Sequence, residues 1–352
     1  MTTAYYFTAA RPPDARRDAI LKEAALLQAE HPGPSRFLGT GGGLARRLPA
    51  AWRAARRRPL IEALDSAVDT HHLFTDDLGW CALFRGARKP LLVSLTTPLG
   101  GRTPRPPAPR PFAVAVRLAP DASRLRDAGW RRVVHAPAGA HLPSAPLPRP
   151  RPVRRGPCSS LRPPWTQRQF RTKGVDALLA AARQRPDLRL ILLWRGVLEG
   201  AVRDRIDRSR LTDRVELLLD HVDVEAVLAR CHAAVLCPTR RRVVTPHPHS
   251  LLESLASGRP VVLSRPLGLA PTIESAGAGV VLDAVSGTTL AGAFDRLFAS
   301  YDGYRRGALS LDCSPWGAPA YIEVFRALRA ELAATAGASN RAATAPRNLS
   351  RP

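Results

Sequence analysis

The chain has 352 residues, enough for two domains of ordinary size, and 45% of them are hydrophobic, as in a globular protein. Its net charge is +24, a balance that suits anionic partners such as nucleic acid or an acidic membrane surface. The excess is arginine, since only Lys22, Lys89 and Lys173 are lysines, and no finger, helix-turn-helix or aromatic RNA-binding motif accompanies it, so nucleic acid is disfavoured as a partner.

The opening residues, MTTAYYF, lack a basic segment followed by a long apolar one, so no secretory leader is expected. No apolar run reaches the ~20 residues that span a bilayer, and a cytoplasmic location is expected. Residues 4–9 read as a first strand. Residues 14–30 carry Ile20, Leu21, Ala24 and Leu27 at helical spacing. Residues 35–39 are a short second strand, followed by a turn at Gly41, Gly42 and Gly43. Residues 44–64 are helical in composition, but Pro49 and Pro59 break them into short pieces. Strands are predicted at 68–74, 90–96, 112–116 and 132–137. A Pro/Arg/Gly loop covers 98–111, and a helix with proline in its first turn covers 120–128. Alternating strands and helices predict a parallel sheet covered on both faces, an α/β domain over residues 1–142.

Residues 143–164, PSAPLPRPRPVRRGPCSSLRPP, read as an inter-domain linker without regular structure. The alternation resumes over 165–313. Helices are predicted at 174–184, 200–209, 224–231 and 288–301, and strands at 188–194, 215–219, 233–238, 260–263 and 279–283. Residues 314–336 hold Trp316 and a helix with Tyr321, Val324, Phe325, Leu328 and Leu332 at helical spacing. Residues 337–352 are small, polar and basic, and read as a disordered tail. The cysteines (Cys81, Cys158, Cys231, Cys237, Cys313) are scattered without metal spacing and read as buried thiols.

The chain is organised around residues 233–283. A short apolar strand there ends in a basic, proline-punctuated loop. Ser250 followed by Glu253 has the Ser-x-x-Glu form of a capping box, which places a helix start at Ser250. Gly258 stops that helix, and Pro260-Val261-Val262-Leu263 follows as a buried parallel strand. A loop opening onto a helix N-terminus past the end of a strand suits an anion, because free N–H groups and the helix dipole both favour one. The backbone around Ser250 and Leu251 is therefore a candidate ligand for a phosphate or a hydroxyl. His247 and His249 alternate with prolines in the loop. No carboxylate or cysteine flanks them, so ligand contact is the better reading than a metal site.

PHSLLESLASGRPVV (248–262) resembles the nucleotide-sugar motif of GT-B glycosyltransferases of the family 4 or group 1 type, E-x-F-G-x-x-x-x-E-A-M-A-x-G-x-P-V-V. Glu253, Ala256, Gly258, Pro260, Val261 and Val262 match it; the first glutamate falls at Thr245, and Phe-Gly at His247-Pro248. RQFRTKGVD (168–176) resembles the family's G-R-L-x-x-x-K-G-V-D, with Gln167 in place of the glycine. VDTHHLF (68–74), RRVVHAPAGAH (131–141) and SPWGAPAYIEVFRALRAEL (314–332) are similar to further segments of the family.

The resemblance implies a GT-B fold, with two Rossmann-like domains facing a central cleft. The acceptor would sit on the N-terminal domain and the donor on the C-terminal one, and the closing helix would run back onto the first domain. It implies that Arg168 and Lys173 hold the donor's diphosphate, that Glu253 meets the ribose hydroxyls, and that His247, His249, Ser250 and Leu251 lie against the donor. A fixed cation pair stabilises a leaving nucleoside diphosphate without a metal, so no metal and no cofactor besides the nucleotide-sugar substrate are expected. At the start of the 174–184 helix the dipole disfavours bare cations, which argues for an anion between them. The implied activity is transfer of a sugar, with retention, to a glycan, lipid-linked or small-molecule acceptor. Two departures stand against it: Thr96 takes the place of a histidine that many retaining members carry, and Thr245 that of a glutamate. They keep open an alternative, a catalytically silent binding or scaffold protein of the same fold. Leu44, Leu48 and Trp52 beside Arg46, Arg47, Arg56, Arg57 and Arg58 suit peripheral contact with the anionic inner face of a membrane; an element packed on its own sheet is the other reading.

Overall fold

The computed structural model describes residues 1–9, 18–39, 57–101, 103, 105–106, 113–150, 157–159, 164, 166–194, 197–220 and 222–344. The glycine turn at 41–43 and most of the arginine-rich segment, 44–56, lie outside these residues, as does the end of the chain from 345.

The N-terminal half is a six-stranded parallel sheet. In chain order it comprises β1 (Thr3–Phe7), α1 (Ala19–Glu30), β2 (Ser35–Phe37), α2 (Arg58–Asp65), β3 (Thr70–Thr75), a 3₁₀ segment (Leu78–Phe84), β4 (Leu91–Leu95), β5 (Ala113–Val116), α3 (Ala119–Asp127) and β6 (Val133–His135). The strand order is β2-β1-β3-β4-β5-β6, so the direction of winding reverses between β1 and β3. Every residue of β1 is buried, as expected of a strand covered on both faces. Its side chains alternate: Ala4 and Tyr6 join Leu73, Val93 and Val114 under the 3₁₀ segment, while Tyr5 and Phe7 join Phe74 and Leu92 under α1. Asp18 caps α1, its carboxylate accepting from the N–H groups of Ile20 and Leu21.

The C-terminal half is a second six-stranded parallel sheet of order β12-β11-β10-β7-β8-β9. Its elements are β7 (Pro157–Ser159), α4 (Gln167–Thr172), α5 (Val175–Gln184), β8 (Leu190–Leu193), α6 (Glu199–Arg208), β9 (Val215–Leu218), α7 (Val224–Arg230), β10 (Ala233–Leu236), α8 (His249–Ala256), β11 (Val261–Ser264), α9 (Ala270–Ser275), β12 (Gly279–Leu282), α10 (Gly287–Ala299) and α11 (Tyr301–Ser310). The winding reverses between β7 and β10, and in a doubly wound sheet that is where ligands bind. A single large core of Leu, Val, Ile and Ala residues covers most of this half.

The expectation of an irregular linker over 143–164 fails at 157–159, which forms β7, a central strand. Cys158 pairs with Ala234 on one side and Ile191 on the other. Pro157 is the first residue of the strand, the position where a missing N–H does least harm. Residues 147–148 also belong with the second half: Leu147 and Pro148 accept hydrogen bonds from Arg305 and Arg259.

The two halves exchange chain twice, and the crossings pair. Ala140 donates to the Trp316 carbonyl at 2.9 Å, and Ala318 donates to the Ala140 carbonyl at 2.9 Å. After a 3₁₀ turn (Ser314–Trp316), α12 (Ala318–Thr344) lies on the N-terminal sheet, with Tyr321, Phe325, Leu328 and Leu332 packed among Tyr5, Phe7 and Phe74. Arg329, on the same helix, donates to the Thr3 hydroxyl. The disorder expected from residue 337 is overturned as far as Thr344, because the helix continues through it. Cys81, Cys231, Cys237 and Cys313 are buried and form no disulfide.

Candidate functional site

The carboxyl end of β10 carries the loop that leads to α8. Thr239, early in that loop, donates its N–H to the Thr172 carbonyl at 2.9 Å. This bond fixes the loop against the α4–α5 junction. Gly174 makes the junction with φ +82°, and a Cβ there would lie 2.4 Å from the Cys237 carbonyl oxygen, so no other residue lets the two backbones approach this closely. Lys173 is buried, 3% exposed, at this meeting point.

Lys173 lies immediately before the start of α5, as the sequence suggested, but a short helix that the sequence did not suggest, α4, ends on it. It caps the carboxyl end of α4, where the dipole favours a cation, with α5 starting immediately after it. The sequence gives no sign of α4, because Gln167–Thr172 has one buried apolar residue, Phe170, and too few residues to show a period. Arg168 is exposed on α4, and among the described residues no hydrogen bond or ion pair joins it to Glu253.

The capping box is also corrected. The N-cap of α8 is Pro248, with extended backbone, and no side-chain oxygen caps the helix. Ser250 is therefore the second helical residue, and Glu253 lies a turn inside, too far along to reach back to the N-cap. Proline accounts for the shift: its φ of −68° suits entry to a helix. Among the described residues no hydrogen bond or ion pair reaches the half-buried Glu253 carboxylate. Leu251 is a core residue, 1% exposed, and can offer a ligand only its backbone. Thr245 is buried, and Thr96 donates its hydroxyl to the Thr75 carbonyl at 3.1 Å.

His247 and His249 both lie in the seam between the halves. His249 is the first residue of α8, and its Nε2 is 3.0 Å from Oε1 of Glu23, on α1. Glu23 is 1% exposed and accepts further bonds from Arg117 Nη1 at 2.7 Å, from Arg117 Nη2 and from the Gly139 N–H at 3.1 Å. Arg117 also donates to the Pro137 carbonyl at 3.1 Å. Burial works to raise the Glu23 carboxyl, but the Arg117 charge and these bonds outweigh it and hold it below the usual carboxylate range. Burial and the same Arg117 cation push the His247 imidazole down to about 3, so it is neutral near pH 7. His247 Nδ1 is buried without a hydrogen-bond partner among the described residues. In the same seam Arg242, in the loop after β10, donates to the Asp76 carbonyl, just past β3, at 3.1 Å. The ends of the two switch-point strands therefore face each other.

Sequence reasoning does not find Glu23 or Arg117. The available signal is position: Glu23 shares the buried face of α1 with Ile20, Ala24 and Leu27.

Residues 166–306 match the family described as glycosyl transferases, group 1. That match runs from just before α4 into α11. The whole chain has the GT-B fold of solved glycosyltransferases. It superposes on HepE from Anabaena, solved in complex with UDP, with a TM-score of 0.66 at 15% identity over 94% of this chain and 100% of that one. Sucrose-phosphate synthase from Thermosynechococcus elongatus gives 0.67 at 14% identity over 95% and 100%. A glycosyltransferase from Rickettsia africae gives 0.64 at 10% identity over 94% and 98%. Comparison with curated proteins gives no match. Among the described residues no helix is long and apolar enough to cross a membrane, and no group of three or more His, Cys, Asp or Glu is placed to hold a metal.

Proposed function

We propose that the protein is a cytoplasmic, metal-independent, retaining glycosyltransferase that moves a sugar from a nucleotide-sugar donor to a glycan, lipid-linked or small-molecule acceptor. One observation carries the reading. The loop from β10 to α8, at the switch point of the C-terminal sheet, is seamed to the α4–α5 junction that carries Lys173. A nucleotide at the carboxyl end of β10 would have its phosphates near Lys173 and the α8 N-terminus, and its ribose within reach of Glu253 one turn on. Arg168, exposed on α4, is the second cation for the diphosphate. UDP in the HepE structure supports the donor class. The N-terminal sheet, across the seam, takes the acceptor, and the arginine-rich residues 44–58 bring the enzyme to an anionic membrane surface when that acceptor is lipid-linked.

Calorimetric titration with nucleoside and nucleoside diphosphate tests the site. Arg168→Ala and Lys173→Met should weaken the diphosphate about ten- to a hundredfold and leave the nucleoside nearly unchanged. Glu253→Gln should weaken both alike. If all three variants bind both ligands as the parent does, the donor site is misplaced. Donor binding by the parent without hydrolysis or transfer would favour the silent scaffold.

A further inference from the structure

The Glu23 carboxylate joins parts of the chain that folding within one domain does not require it to join. Arg117 and the Gly139 N–H, both from the N-terminal half, already satisfy it. The bond to His249 is additional, spans 226 positions in sequence and ends on the first residue of the donor-site helix. An ionised carboxylate only accepts hydrogen bonds, so His249 must carry its proton on Nε2. No hydrogen bond to the other ring nitrogen, Nδ1, is present among the described residues, and a ring whose single proton sits on Nε2 accepts there. A lone pair there repels a phosphate and suits a hydroxyl. The cluster also adjoins the paired crossings between the halves, because Gly139 precedes Ala140, which pairs with Trp316 and Ala318.

We propose that Glu23 is a positioning residue: from the opposite domain it fixes His249 so that Nδ1 accepts a hydrogen bond from a hydroxyl of the donor's sugar. The proposal rests on the donor-site reading above. It assigns His249 to the sugar, as distinct from the diphosphate held by Arg168 and Lys173 and the ribose held by Glu253.

A double-mutant cycle tests it. Glu23→Asp keeps the charge opposite Arg117 but draws the carboxylate back from His249, and His249→Phe keeps the ring while removing both nitrogens. The ligand is whichever of UDP-, GDP-, ADP- and dTDP-glucose binds the parent most tightly, compared with its nucleoside diphosphate. Each single variant should weaken the nucleotide sugar about tenfold and leave the nucleoside diphosphate within about twofold. The double variant should bind no worse than His249→Phe, because Glu23 acts only through His249. Additive losses, or equal losses for both ligands, overturn the proposal while leaving the donor site standing. A parent that binds none of these ligands overturns both. If Glu23→Asp does not fold, folded His249→Phe decides alone: unchanged discrimination between nucleotide sugar and diphosphate overturns the proposal.

Discussion

Gly174→Ala tests the junction on which the proposed donor site rests. Gly174 has φ +82°, and an alanine Cβ there would lie 2.4 Å from the Cys237 carbonyl oxygen. Holding an L-residue in the left-handed region costs about 1–2 kcal/mol. A close carbon–oxygen contact is about 3.3 Å, so the carbonyl or the junction must also retreat by about 1 Å. Cys237 directly follows β10, which is paired on both sides with β7 and β11, so the retreat strains a central strand. Overpacking of this kind costs about 1–3 kcal/mol, for a total of about 2–5 kcal/mol. For a domain of this size that lowers Tm by roughly 4–20 °C. Scanning calorimetry of parent and variant gives the shift. Titration with the nucleoside diphosphate should show weakened binding as well, since Lys173 precedes the altered residue. A variant whose Tm stays within about 1 °C of the parent would refute the close approach of the two backbones, and with it the placement of Lys173.

Arg117→Met should cost about 3–5 kcal/mol, because it leaves Glu23 buried without its cation; denaturant midpoints report it, and a loss under about 1 kcal/mol would mean the pair is not enclosed. Stability should fall as the solution is acidified. His72 and His247 are buried and neutral, with folded-state values lowered from 6.5, so below pH 6.5 the unfolded chain binds protons that the folded chain does not. Each contributes a slope of up to about 1.4 kcal/mol per pH unit, and His247→Gln should flatten the curve between pH 6.5 and about 3. Glu23 adds a second loss: its folded value is depressed, so its contribution is full above its ordinary 4.5 and declines as pH falls below that. Transfer activity should survive excess EDTA; complete loss restored by manganese or magnesium would contradict metal independence.

Much of the architecture is readable because period and punctuation are local signals. The strands at β1, β3, β4, β5, β10, β11 and β12 are short apolar runs bounded by turn residues, and each appears within two or three residues of its expected place. Local signals also mislead where two of them compete. Ser250 and Glu253 have the spacing of a capping box, yet Pro248 starts the helix earlier and makes the box irrelevant. The composition of 143–164 argues against structure, yet β7 needs only three residues, and its neighbours on both sides supply the pairing. The end of α12 reads as disordered because residues such as Gly337 and Ser339 carry no apolar period, although the helix propagates through them. The Glu23–Arg117–His249 cluster has no local signature at all. Its members come from α1, the segment after β5 and α8, and only the folded chain brings them together.

That cluster changes how the missing family residues bear on function. Thr96 and Thr245 invite the inference of lost activity, since neither offers a carboxylate or an imidazole to a substrate. In the structure Thr96 ties β4 to the end of β3 through its hydroxyl, and Thr245 is buried in the loop after β10. An imidazole and a carboxylate do meet in the seam between the halves. His249 stands at the head of α8, and Glu23 reaches it from the other domain. Buried charge is costly unless every lone pair is matched, and here Glu23 is matched by donors from both halves of the molecule. A scaffold that needed only the fold could replace this cluster with apolar residues at little cost. The bond to Glu23 fixes the orientation of an imidazole at the head of α8, which is what the proposed contact with a donor sugar requires.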